Sequence, residues 1–191
     1  MERSQAGKEL IMAGYMALSG SAAFARQEQA YLVKWLTRRF LEETEAYYEA
    51  LAQKIGILPR RLPALDGAEE AVCLALGPGG LFDGLWEMAR IWQTGFRVEL
   101  KAVPVRQETI EICERLEVNP YYLCSENSFL IAAEHGEQLC RACRAQGWPA
   151  AVIGTLESGN QKEILCGGRS SCLNRPQEDE WERFARERAG R

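Results

Sequence analysis

The residues best placed to do chemistry lie in a glycine-rich turn that runs straight into an amphipathic helix. The turn is Gly77-Pro78-Gly79-Gly80, and Leu81, Leu85, Met88 and Trp92 form one stripe after it. The first N–H groups of a helix lack intrahelical acceptors and sit at the positive end of its dipole, so such a junction can seat a phosphate or another anion. The same glycines also suit a tight turn that needs only their dihedral freedom. Two other segments, Ser19-Gly20-Ser21 and Ser125-Glu126-Asn127, could bring further donors to one cleft, or could be ordinary loop turns. Gly77, Gly79, Gly80, Ser19, Gly20, Ser21, Ser125, Glu126 and Asn127 are therefore the candidate ligand-binding residues.

Weaker constellations assign no catalytic and no metal-binding residue. Asp83 and Glu87 share a helical face and could pair for metal or acid/base work, but without a partner constellation solvated charge on a polar face is the reading taken. Cys140 and Cys143 form a C-x-x-C with Cys166 and Cys172 downstream, a spacing from which a four-thiolate zinc site can be imagined. The first pair falls within a helix rather than a knuckle, and near that helix's C-terminus the dipole disfavours a reactive thiolate. His135 is the only histidine, so neither a triad nor a histidine metal cluster can be assembled around it, and it reads as a surface or capping residue. Trp35, Phe40, Tyr47 and Tyr48 follow helical spacing and read as core or as a dimer face.

Composition narrows the classes. With 191 residues, 47% of them apolar, the chain can bury one substantial core. A net charge of -4 and a pI near 5.3 offer no general attraction for nucleic acid. The apolar stretch from Leu10 to Ala25 is interrupted by Gly14, Ser19, Gly20 and Ser21, and it falls short of the roughly 20 residues that span a bilayer. It could imitate a secretory leader, with Arg3 and Lys8 before it and Ala23-Phe24-Ala25 as a cleavage site. Glu2 and Glu9 spoil the basic leader, so a buried strand and loop is the reading taken. Seven cysteines at irregular spacing suit a reducing cytoplasm.

The elements that must position these residues follow from periodicity. A buried strand over Glu9–Tyr15 leads into the small-residue turn Ala17–Ser21, and a long helix or two consecutive ones run from Arg26 to Ile55. Pro59–Pro63 is a stiff connector, and Asp66 caps a short helix carrying Ala68 to Ala75. Gly95 ends the helix after the glycine turn. Phe96, Val98 and Leu100 then alternate with charged residues as a strand closed by Pro104. A helix over Arg106–Leu116, a turn at Asn119-Pro120, a strand over Ser128–Ala133 and a helix over Glu134–Gln146 come next. Ala150–Leu156 and Glu163–Cys166 form a hairpin across Ser158-Gly159-Asn160. The pattern is α+β: a mixed sheet with helices packed mainly on one face, one domain over 1–175 that includes the helical segment 26–56, and a charged tail over 176–191.

Five segments in order carry a family resemblance: Gly79–Ala89, Pro104–Thr109, Val118-Asn119-Pro120, Ser128–Ala133 and Ala150–Gly154, with Leu10–Gly14 and Leu18–Ser21 upstream. Together they resemble the C-terminal domain of the aminoimidazole ribonucleotide synthase-related superfamily, in particular its hydrogenase maturation factor branch. The resemblance implies a domain that shares ATP with an N-terminal partner domain, and no stretch before Lys8 could supply that domain's Asp-rich site. Where the family commonly carries D-x-T-x-G-G, this chain reads Ala75-Leu76-Gly77-Pro78-Gly79-Gly80, without the carboxylate and the hydroxyl. Where some members end in a cysteine, it ends Ala189-Gly190-Arg191. The expectation is a noncatalytic or partner-dependent relative that binds ATP, another phosphate-bearing ligand or a partner subunit. The partner would be a second copy or a separate N-terminal domain. The alternatives are a subunit of an ATP-dependent maturation enzyme and a cysteine-based redox or metal module.

Overall fold

A computed structural model describes residues 5–190. Glu2 and Arg3, which entered the reading of a leader, lie outside the described residues. In chain order the elements are β1 (Glu9–Ala13), α1 (Leu18–Gln27), α2 (Gln29–Leu32), α3 (Arg38–Ile55), α4 (Leu58–Arg61), β2 (Val72–Ala75), α5 (Gly80–Ile91) and β3 (Gly95–Glu99). They continue with α6 (Gln107–Leu116), β4 (Phe129–Ala133), α7 (Gly136–Ala145), β5 (Ala150–Glu157), β6 (Lys162–Cys166), β7 (Arg169–Cys172) and α8 (Glu180–Ala189). One mixed sheet runs β2-β4-β1-β5-β3-β6-β7, antiparallel throughout except for β3 with β6.

β1 lies between β4 and β5, and period-two alternation divides its residues between two cores. Leu10 and Met12 face the larger core, with Phe24 of α1, Leu81, Leu85 and Met88 of α5, and Ile112 of α6. Ile11 and Ala13 face the smaller one, with Leu51 and Ile55 of α3, Leu58 of α4, and Leu139, Cys140 and Cys143 of α7. Leu10, Ile11 and Met12 are wholly buried, each contributing about 1.5–3 kcal/mol by the usual transfer scale. The larger helical layer covers one face, and a smaller one covers part of the other.

Three local expectations are corrected. Ala68–Ala75 does not form a helix; after an irregular stretch it becomes β2, whose Val72 and Leu74 pack on one core while Cys73 packs on the other. Two-residue burial decided the matter over helical spacing. Ser19-Gly20-Ser21 is no turn but the opening of α1, which starts after Ala17 in the left-handed region at φ 57. Glycine is a poor helix former and serine a middling one, but here tertiary packing requires them. A Cβ on Gly20 would lie 2.4 Å from Cγ of Leu123, and the Ser21 hydroxyl lies 3.0 Å from that of Thr109.

The hairpin across Ser158-Gly159-Asn160 is likewise not formed, because β3 lies between β5 and β6. β3 pairs antiparallel with β5 and parallel with β6. Two glycines make room for it: a Cβ on Gly154 would stand 2.0 Å from the Arg97 carbonyl oxygen, and one on Gly95 would stand 2.5 Å from that of Gln161. The helical run expected from Arg26 to Ile55 is the last turn of α1, then α2 and α3, with Thr37 capping α3 by accepting from Phe40 N. The charged segment after Pro176 forms α8, which docks Trp181 and Phe184 against Phe24 at ring distances of 4.6 and 5.0 Å.

A candidate cleft at the head of two helices

The glycine turn owes its shape to contacts on both sides. Gly79 is the residue before α5 at φ 78 and Gly80 opens the helix at φ 66, a region that side chains disfavour. A Cβ on Gly80 would also lie 2.5 Å from the Leu123 carbonyl oxygen. Gly77 has neither constraint; its carbonyl accepts from Ser125 N at 3.0 Å and Gly80 N at 3.2 Å.

The three predicted segments do come together, through the loop that carries Ser125. The Ala17 N–H donates to Ser125 Oγ at 2.9 Å, and that hydroxyl donates to the Leu123 carbonyl at 3.1 Å. The Ser19 hydroxyl accepts from Glu126 N and donates to the Cys124 carbonyl, both at 2.9 Å. Gly20 N also donates to the Cys124 carbonyl, and Asn127 Nδ2 donates to the Tyr48 hydroxyl at 3.0 Å. These donors are spent on joining the starts of α1 and α5. Ser21 and Ser125 are wholly buried, so they build the cleft rather than line it.

Beside this seam lies a cleft of about 490 Å³ whose lining includes Ser19, Gly20, Pro78, Cys124 and Glu126 from the expected segments. Its remaining wall comes from α1, α3 and the C-terminal segment: Arg26, Glu45, Tyr48, Glu49, Asp179, Trp181 and Glu182. These residues were not singled out as ligand-binding in the sequence, since only the packing of α3 and α8 brings them near. The i, i+4 spacing of Glu45 and Glu49 was the one signal that they share a face.

The decisive contact is Asp179. Its Oδ2 accepts from Gly79 N at 2.6 Å, while its Oδ1 caps α8 by accepting from Trp181 N at 2.7 Å, and the residue is 7% exposed. The anion seat expected at the start of α5 thus holds a carboxylate of the chain itself. Charge points the same way, since among the described residues Arg26 is the one cation lining the cleft, against Glu45, Glu49, Glu126, Asp179 and Glu182. Burial, then Glu87 and Asp179, push the Asp83 carboxyl above its usual range. In this arrangement the lining does not fit a bare triphosphate.

A family model described as AIR synthase related protein, C-terminal domain, matches residues 5–167. The chain belongs to this family. Carbamoyl dehydratase HypE of Azotobacter vinelandii is 39% identical over 90 residues, covering 45% of this chain and 26% of the relative. The crystal structure of E. coli HypE, a hydrogenase maturation protein, superposes with a TM-score of 0.69 at 20% identity, over 94% of this chain and 53% of that one. A structure of hydrogenase maturation protein HypE in complex with ATP superposes with a TM-score of 0.63 at 20% identity, over 93% of this chain and 53% of that one. The chain therefore spans about half the length of these solved relatives, and at such identities the likeness is one of fold.

Within this AIR-synthase-related domain the other candidates separate. Asp83 and Glu87 do not form a site, because Glu87 pairs with Arg90 at 2.7 Å. Cys140 and Cys143 lie in the smaller core, where burial pushes their thiols up to about 12 and about 11, whereas Cys166 and Cys172 are exposed on β6 and β7 at the far side of the sheet. Among the described residues no three His, Cys, Asp or Glu side chains are grouped to hold a metal. His135 is exposed at the start of α7 without capping it; Glu9 does so, its Oε2 accepting from Gly136 N at 2.7 Å. Arg106, in the Pro104-Val105-Arg106 segment, stacks over Tyr47 at 3.7 Å. Tyr48 alone of the four aromatic candidates lines the cleft, while Trp35 is 48% exposed. Among the described residues no helix is long and apolar enough to cross a membrane.

Proposed function

We propose that this chain is a hydrogenase-maturation-type C-terminal domain that is inactive alone and completes a nucleotide cleft with a partner. The partner is a separate N-terminal domain or a second copy of the chain, in the cytoplasm. The observation that carries this is the unbalanced charge of the cleft: four glutamates and Asp179 face one arginine around an open cavity. Glu49, Glu126 and Glu182 are exposed and Glu45 is half-buried, so solvent screens their mutual repulsion, but the gathered negative charge still favours a cation at this site. A partner surface bearing Lys or Arg, or a phosphate ligand arriving with a divalent cation, would supply the balance. The hydroxyls of Ser19 and Ser125 are engaged in joining α1 to the Ser125 loop, which supports a scaffolding role for this half rather than a catalytic one.

The second reading, a subunit of an ATP-dependent maturation enzyme, is favoured by the fold it shares with a HypE bound to ATP. Both readings are tested by purifying the chain, adding the N-terminal half of a HypE-type protein, and measuring nucleotide binding by calorimetry and phosphate release. The expected result is no turnover by the chain alone and tighter nucleotide binding by the mixture. Turnover by the chain alone would sink the first reading. Absence of turnover in every mixture would sink the second.

A further inference from the structure

We propose that α8 is an intramolecular stopper of this cleft, with Asp179 acting as an internal stand-in for the ligand's anionic group. The proposal rests on the reading that the cleft takes a phosphate-bearing ligand, and it adds that ligand and tail exclude one another. A carboxylate with two backbone N–H donors, one from the start of α5 and one from α8, is held as a phosphate oxygen would be at a helix N-terminus. The two groups cannot share the Gly79 N–H. Trp181 and Glu182 wall the same cavity, so undocking α8 would widen it and remove two of its carboxylates at once.

The fastening is suited to release. α8 buries only Glu180 among its residues, and residues 173–179 that tether it have no regular structure. It is held by the rings of Trp181 and Phe184 on Phe24, by Arg183 donating to the Glu117 carbonyl at 2.9 Å, and by an Arg188–Glu28 ion pair. Exposed ion pairs add little, and a ten-residue helix is marginal in water once its packing face is lost. Release uncovers Phe24, wholly buried under Trp181 and Phe184, so the proposal requires the tail to leave as a unit at that cost while the sheet stays folded.

The test uses the full chain and its Asp179→Ala and Asp179→Asn variants, with Mg-ATP and inorganic pyrophosphate as probes in calorimetry. Hydrogen exchange of residues 180–189 is followed in the unmodified chain with and without probe. The expected results are binding at least about tenfold tighter in Asp179→Ala, about 1.4 kcal/mol, a smaller gain in Asp179→Asn, and faster exchange of α8 when probe binds the unmodified chain. Equal affinities with α8 still protected in the bound state would overturn the stopper and leave the nucleotide cleft standing. No binding of either probe by any of the three proteins at millimolar concentration, alone or mixed with the N-terminal half of a HypE-type protein, would overturn the cleft reading, and the stopper with it. If Asp179→Ala fails to fold, exchange in the unmodified chain decides alone.

Discussion

Ser125→Ala separates a scaffold role from a ligand role at the residue that joins the two helix heads. The Ser125 hydroxyl is wholly buried and is the acceptor for the N–H of Ala17, itself wholly buried and held at φ 57. Removing the hydroxyl leaves that N–H without a partner in a place water does not reach, which costs about 1–3 kcal/mol. The left-handed conformation of Ala17 is present in the folded parent already, so its strain cancels in the difference and the expected loss stays near the middle of that range. At about 2–4 °C per kcal/mol for a chain of this size, a loss of about 2 kcal/mol lowers Tm by roughly 4–8 °C. Urea unfolding followed by circular dichroism should give the same loss with an unchanged slope, since the folded fold is retained. Ser19→Ala, at a residue that lines the cleft, where water can replace the hydroxyl, should cost less. A Ser125→Ala protein that melts within a degree of the parent would refute the buried-bond argument. If it also lost nucleotide binding, Ser125 would be a ligand residue after all.

Gly154→Ala drives a methyl against the Arg97 carbonyl, a backbone group that cannot rotate away, and should cost about 3 kcal/mol or more or prevent soluble expression; a melt near that of the parent would contradict the close approach of β3 and β5. A thiol reagent at pH 8 should label the exposed Cys166 and Cys172 quickly and Cys113, Cys140 and Cys143 only on unfolding, because burial pushes those three to about 12, about 12 and about 11. Rapid labelling of Cys140 or Cys143 would restore the redox alternative. The Asp83 carboxyl is raised by burial and by Glu87 and Asp179, so the folded chain keeps a proton that the unfolded chain loses from about pH 3.9 upward. Stability from this group therefore falls as pH rises from that value through the folded pKa, and the penalty is fully present above the folded pKa. Asp83→Asn should flatten that slope and raise Tm at pH 7; an unchanged slope would show that the pressure on Asp83 is absent.

Much of the architecture was legible in the residues. β1 is a short apolar run and β3 alternates, α5, α6 and α7 carry apolar stripes, and the order of short segments from Gly79 to Gly154 placed the chain in its family. The Ser19, Gly77 and Ser125 segments were open in the sequence to either reading, donors meeting at one cleft or ordinary turns, and their roles were not legible. The hydroxyls and glycines that suggested a ligand are the same types that close packing between helix heads requires, and nothing local distinguishes the two uses. The wall of the cleft was hidden because Tyr48, Trp181 and Glu182 lie far from the glycine turn in the chain.

The sequence alone determined the mixed α+β character and the glycine-started helix, because these depend on residue type and short-range period. Tertiary structure decided three things that local pattern misread: β2 as a strand, α1 starting at Leu18, and β3 slotting between β5 and β6. It also decided what fills the anion seat. Asp179 and Gly79 are 100 residues apart, and no periodicity reports which carboxylate a free N–H will meet once the chain has closed on itself. A buried donor must find an acceptor, but which one it finds depends on the whole fold.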